Sequence, residues 1–150
     1  MKRNIFIIIM CLLIITGCGN NSNEKKLLHG ELLDFKESCN EYDDNDTSKC
    51  LKTVAVIKAK IEPSYSNKAT IDQNYYNIED FIKNNNGTKY DEISYWAVAD
   101  MESGDESKVI SFTVNKDLIN KIKDDKIVAN QLGNYVDDLW VLPSLKLKKD

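Results

Sequence analysis

The sequence predicts an α+β domain built on a mainly antiparallel sheet of about five strands with two helices. Three observations lead there. Apolar and polar residues alternate over 51–62, 92–100 and 108–115, the period of a half-buried strand. Over 70–87 and 116–125 the apolar residues instead recur every three or four positions, the period of a helix. The resulting order, β-β-α-β-β-α-β, groups strands in pairs, which favours a separate sheet and helix layer. An open barrel of the OB type, with the first helix closing one end, is a special case of this pattern.

The elements follow in order. "GELLDFKE" (30–37) is a candidate first strand, and "SCNEYDDNDTSKC" (38–50) reads as a polar acidic loop bracketed by cysteines. In "LKTVAVIKAKIE" (51–62), Ala55, Ile57, Ala59 and Ile61 fall on one face and Lys58 and Lys60 on the other; Pro63 ends the strand. Within 70–87, Ile71, Tyr75, Ile78 and Ile82 form one helical face, Thr70 and Gln73 fit a capping box, and the run ending at Gly87 is a stop. A start at Asn77, with Asp80 closing the box, fits nearly as well. "EISYWAVAD" (92–100) and "KVISFTVN" (108–115) flank a Ser103-Gly104 turn and predict a hairpin. Asn115 is positioned to cap "KDLINKIKDD", with Leu118, Ile119 and Ile122 inward. Beyond Gly133, "NYVDDLWVLP" (134–143) is the last strand-like run, and 144–150 is a polar tail.

The chain of 150 residues has room for one domain, expected over 28–143, and its 42% hydrophobic content suffices for a core. The amino terminus reads differently. Lys2 and Arg3 precede an apolar run from Ile5 to Ile15. Eleven helical residues reach only about 16 Å, roughly half of a hydrocarbon core. That length suits the apolar region of a signal peptide, here 1–17. The run closes on Ile15-Thr16-Gly17-Cys18, which resembles the lipobox of bacterial lipoproteins.

The resemblance covers about the first 20 residues and implies a processing class. The Cys18 thiol would take a diacylglyceryl group, the bond before it would be cut, and further acylation (palmitate among the acyl groups) would complete the anchor. Two acyl chains hold durably where one holds marginally. Cys11 lacks small residues before it and would leave with the signal. Residues 18–27, polar after the cysteine, would tether the domain. Gly19 follows the lipidated position, so the inner-membrane retention aspartate of Gram-negative lipoproteins is absent. The Lys/Asn/Ile-rich composition suits a low-GC Gram-positive source, placing the anchor in the outer leaflet of its membrane; in a Gram-negative cell the expectation is the outer membrane.

Charge narrows the partners. Loss of Lys2 and Arg3 with the signal leaves 18 basic against 24 acidic residues, a net −6. An acidic chain without a basic run argues against nucleic acid and against electrostatic docking on anionic lipid. Cys39 and Cys50 are then the two remaining thiols, and in an exported domain an even pair around a short loop reads as a disulfide, with free thiols the open alternative.

Signals for chemistry are sparse. An EF-type calcium loop counted from Asp44 reaches Asp46 and Ser48 but puts Lys49 at the sixth position and Ala55 at the twelfth. Asp44 and Asp46, like Asp100 and Glu102 near the later turn, are thus oxygen donors lacking the diagnostic pattern, and no cofactor is expected. His29 is the sole histidine and lies at the domain's edge. No Gly-x-Ser-x-Gly, P-loop, His-Glu-x-x-His or Gly-x-Gly-x-x-Gly occurs.

The aromatic residues are better ligand candidates. Adjacent Tyr95 and Trp96 must face opposite sides of a strand, Tyr95 with Ile93 and Ala97 on the core side and Trp96 on the wetter side. Trp140 follows two aspartates, and Tyr76 falls off the apolar helix face. The reading is a non-enzymatic, lipid-anchored binding module with a protein or envelope-polymer partner. Short lipoproteins of this kind resemble envelope accessory proteins and surface exclusion factors. The alternative is a small envelope hydrolase using carboxylates. Cys18→Ser is expected to abolish incorporation of labelled palmitate and release the protein from the membrane fraction; palmitate retained by the variant would contradict the lipobox assignment.

Overall fold

The computed structural model describes residues 26–100 and 104–145. The expected signal, Cys18, most of the tether, Glu102 and the tail from position 146 lie outside the described residues. The elements are β1 (Glu31–Asp43), β2 (Asp46–Lys60), α1 (Asn67–Asn84), β3 (Glu92–Asp100), β4 (Glu106–Asn115), α2 (Lys116–Lys123) and β5 (Asp137–Val141). Short 3₁₀ turns cover Gly87–Lys89, Ala129–Asn134 and Pro143–Leu145.

The five strands form one open sheet in the order β1-β2-β3-β4-β5. Three of its pairs are antiparallel, and β2 and β3 are parallel. The parallel pair, which strand patterning does not reveal, follows from connectivity: α1 carries the chain back along the sheet before β3 begins. The domain is therefore α+β, but no barrel forms. Closure would need β1 to pair with β5, and these are the two edges.

The cysteine-bracketed segment is not a loop. β1 and β2 continue through it as an antiparallel ribbon, with Tyr42 opposite Cys50 and Asp43 opposite Asp46 across the turn. Its polar side chains mark exposure on both faces, which says nothing against extended backbone. A Cys39–Cys50 disulfide, Cα atoms 5.7 Å apart, staples the two arms. In the chain-entropy account such a closure stabilises by roughly 2–3 kcal/mol.

Helix α1 starts three residues before the expected capping box. Ser66 is the N-cap, its Oγ accepting from the Ala69 N–H at 3.1 Å. Thr70 is already inside the helix, its hydroxyl donating to the Ser66 carbonyl and accepting from the Ser64 N–H. α2 starts as expected, with Asn115 Oδ1 accepting from the Leu118 N–H.

Both helices lie on one face of the sheet. Ala55, Ile57 and Ala59 of β2, Ile93, Tyr95 and Ala97 of β3, and Ile110, Phe112 and Val114 of β4 meet Tyr75, Ile78, Phe81 and Ile82 of α1 and Leu118, Ile119 and Ile122 of α2. Tyr75 and Tyr95 both pack their rings against Phe112, at 5.3 and 5.1 Å. Burial pushes the Tyr75 hydroxyl up to about 12, with the Asp72 carboxylate adding to the shift.

One polar network runs through this core. Asn74 and Asn77, one helical turn apart, are both buried. The Tyr95 hydroxyl donates to Asn74 Oδ1 at 2.9 Å and accepts from Asn77 Nδ2 at 3.2 Å. Asn77 also grips the backbone of His29, donating to its carbonyl at 2.9 Å and accepting from its N–H at 2.7 Å. Gly30 follows at φ +77°, where an added Cβ would stand 2.2 Å from the Lys60 carbonyl oxygen, so only glycine turns the chain from this clamp into β1. Among the described residues no buried polar side-chain atom lacks a partner.

Asn77→Ala strips partners from Tyr95 and from both backbone groups of His29, and is expected to lower unfolding free energy by about 3 kcal/mol. Tyr95→Phe, which leaves the His29 clamp intact, should cost about 1–2 kcal/mol. Urea unfolding measures both, and losses below about 0.5 kcal/mol for each would contradict a structural role for the network.

Candidate functional site

Among the described residues the second sheet face carries no helix, and strand alternation assigns its residues. Pairing register sets Asp34, Lys58, Trp96, Ser111 and Trp140 side by side in one row across all five strands. Trp96 and Trp140 are the only tryptophans of the chain. Separated by the Ser111 strand, they stand two strand spacings apart, about 10 Å between backbones. Trp96 is half-buried, and Trp140 is 38% exposed.

Each indole carries a lysine. Lys58 Nζ lies 4.8 Å from the Trp96 ring centroid, and Lys108 Nζ lies 4.4 Å from that of Trp140. Such contacts orient a ring and cover part of it at a gain of about 0.5–1 kcal/mol at exposed sites. Lys58 is also 3.5 Å from Glu106, whereas Lys108 reaches the Ser111 hydroxyl at 3.4 Å.

Two irregularities shape the face. Between β3 and β4 the register jumps at Val109, because Ala97 opposes Ile110 while Val98 opposes Lys108. This bulge lets consecutive Val109 and Ile110 both bury and leaves Lys108 on the open face beside the tryptophans. On β5 the register jumps between the pairs Ser111–Trp140 and Thr113–Asp137. Asp138, within that jump, has φ +52°, a left-handed conformation that a non-glycine residue seldom adopts. The kink brings Asp138 to a groove of about 410 Å³ floored by Ser94, Ser111 and Thr113 and bordered by Trp96 and Lys108. That volume falls within the range of small-ligand sites.

The other expected residues lie elsewhere. Tyr76 is 40% exposed but sits on α1, across the sheet from the tryptophans, with its ring edge-on to His29 at 6.2 Å. Asp44 is at the tip of the β1–β2 ribbon. The Asp46 carboxylate accepts from both the hydroxyl and the N–H of Ser48, which hold it below the usual carboxylate range. Asp100 pairs with Lys60 at 2.8 Å. Among the described residues no three His, Cys, Asp or Glu side chains converge as a metal set would. No helix there is long and apolar enough to cross a membrane.

Among the described residues, Asp34, Asp43, Asp46 and Asp91 are held below the usual carboxylate range. The Lys36 ammonium does so for Asp34, the Asn45 N–H for Asp43, and the Thr53 N–H and hydroxyl for Asp91. A general acid needs a raised carboxyl pKa, so these four carboxylates are poised against that role.

With the geometry in place, no protein-family model, curated protein or solved structure matches the chain. The site must be read from its own residues. Sequence patterning reaches Trp96 and Trp140 but not Lys108 or Asp138, since both owe their places to bulges that leave no mark in the hydrophobic period. Ser111 was within reach, as the polar neighbour of core Phe112, had the strand register been known.

Proposed function

We propose that the protein is a lipid-anchored component of the outer cell surface whose domain is a non-enzymatic binding module, presenting its uncovered sheet face to a partner in the envelope. The observation that carries this reading is the placement of both tryptophans in one cross-strand row on the face without helices. Indole is amphipathic and rigid, and contributes large contact area at low entropic cost. Two tryptophans in one row, Trp96 half-buried and Trp140 exposed, are therefore an expensive feature for a surface that touches only water. The Cys18 lipobox supports the location, and the size and anchor support a role as an envelope accessory or exclusion-type factor.

The helix side supports the same arrangement. The chain leaves the tether and enters the domain at His29, which Asn77 clamps to α1. The anchor therefore joins the domain on its helix layer, leaving the tryptophan face directed elsewhere.

Binding of the purified protein to envelopes from cells lacking it tests the proposal. Trp140→Ala and Trp96→Ala are each expected to reduce binding about tenfold or more while the domain still unfolds cooperatively in urea, and Tyr76→Ala, on the opposite face, leaves binding intact. Full binding by the double tryptophan variant would overturn the assignment of this face.

A further inference from the structure

The chemistry of the groove narrows the partner. Trp96 stands at its edge, and Ser94, Ser111 and Thr113 line it with hydroxyls. An apolar peptide side chain entering it would desolvate those hydroxyls without replacing their hydrogen bonds, which is costly. A sugar ring suits the same surface. Its C–H face stacks on indole, and its edge of hydroxyls exchanges hydrogen bonds with serine, threonine and carboxylate oxygens. Asp138, turned into the groove by its left-handed backbone, is an acceptor for such hydroxyls.

Charge distinguishes among sugars. Lys58 and Lys60 on this face are paired with Glu106 and Asp100. Among the described residues, no carboxylate lies within 4.0 Å of Lys108. Its ammonium lies over Trp140 and within reach of Ser111, at the rim of the groove. A carboxylate or phosphate on the bound ring would complete it with a charge-assisted hydrogen bond, about twice as strong as a neutral one.

We propose that the groove beside Trp96 binds an acidic glycan of the envelope, with a sugar ring against indole and its anionic group at Lys108. This rests on the binding-module reading and names its partner's chemistry. Because Trp96 borders this groove and Lys108, which lines it, lies over Trp140, intrinsic emission of the full-length protein in detergent reports on it.

The probe is the deproteinised anionic glycan fraction of the envelope, with the neutral glycan fraction as comparator. Saturable quenching or a blue shift is expected with the anionic fraction and not with the neutral one. Lys108→Gln should weaken that binding about tenfold while leaving the urea midpoint unchanged. No emission change with either fraction overturns the glycan assignment, and equal response to both with no effect of Lys108→Gln overturns its acidic character. If tryptophan-dependent capture by whole envelopes persists while glycan fails, the partner is a protein and the binding-module reading stands. If that capture ignores the tryptophans, the binding-module reading falls with it.

Discussion

The hydroxyl of Tyr95, shared by two asparagines of one helix, is the contact on which the arrangement of the domain depends. Tyr95 projects from the middle of the central strand, and Asn74 and Asn77 come down on it from successive turns of α1. Apolar packing fixes which face of α1 is buried but tolerates rotation and sliding. A buried hydroxyl with two specific partners does not, since any shift leaves polar atoms without water or protein. The same Asn77 binds both backbone groups of His29, so helix position and the entry of the chain into β1 are set by one side chain. Burial raises the Tyr95 hydroxyl pKa and keeps it in the donating form at all ordinary pH.

A helix layer locked on one face makes the other face a surface by necessity. A lone five-stranded sheet with one covered side usually presents charged and small polar residues outward. Most of this face follows that rule, with Lys36, Lys58, Lys60 and Asp34 in ion pairs. The two tryptophans depart from it. The charged groups beside them depend on departures from strand regularity, one bulge at Val109 and one kink at Asp138, which supply Lys108 and Asp138 where regular pleating would have placed them elsewhere. Bulges are common where a sheet re-aims a side chain toward a ligand.

Much of this was legible in the sequence, for reasons that can be named. The period of 51–62 separates Ile57 from Lys58, and that of 92–100 separates Tyr95 from Trp96, because strand side chains alternate strictly. Asn115 announced α2 through capping chemistry. The cysteine pair was legible from the expected export signal and from parity. What failed depends on contacts between distant segments. The ribbon through 38–50 is held by cross-strand pairing and a disulfide rather than by an apolar face, so its composition looked like a loop. The burial of Asn74 and Asn77 leaves no mark in the apolar period and follows only once Tyr95 is placed beneath them. Strand order, the parallel pair and the convergence of Lys108, Asp138 and the tryptophans are all matters of register, which one sequence does not encode in any local window.

The central claim is that the domain meets its partner through the sheet face rather than the helix layer. Hydroxyl-radical footprinting of the protein, free and bound to intact envelopes, tests it most directly, because exposed aromatic residues stand on both sides. Trp140 and Trp96 are expected to be protected on binding while Tyr65 and Tyr76, at and within α1, remain as reactive as in the free protein. Protection of Tyr76 with unchanged labelling of Trp140 would contradict the account.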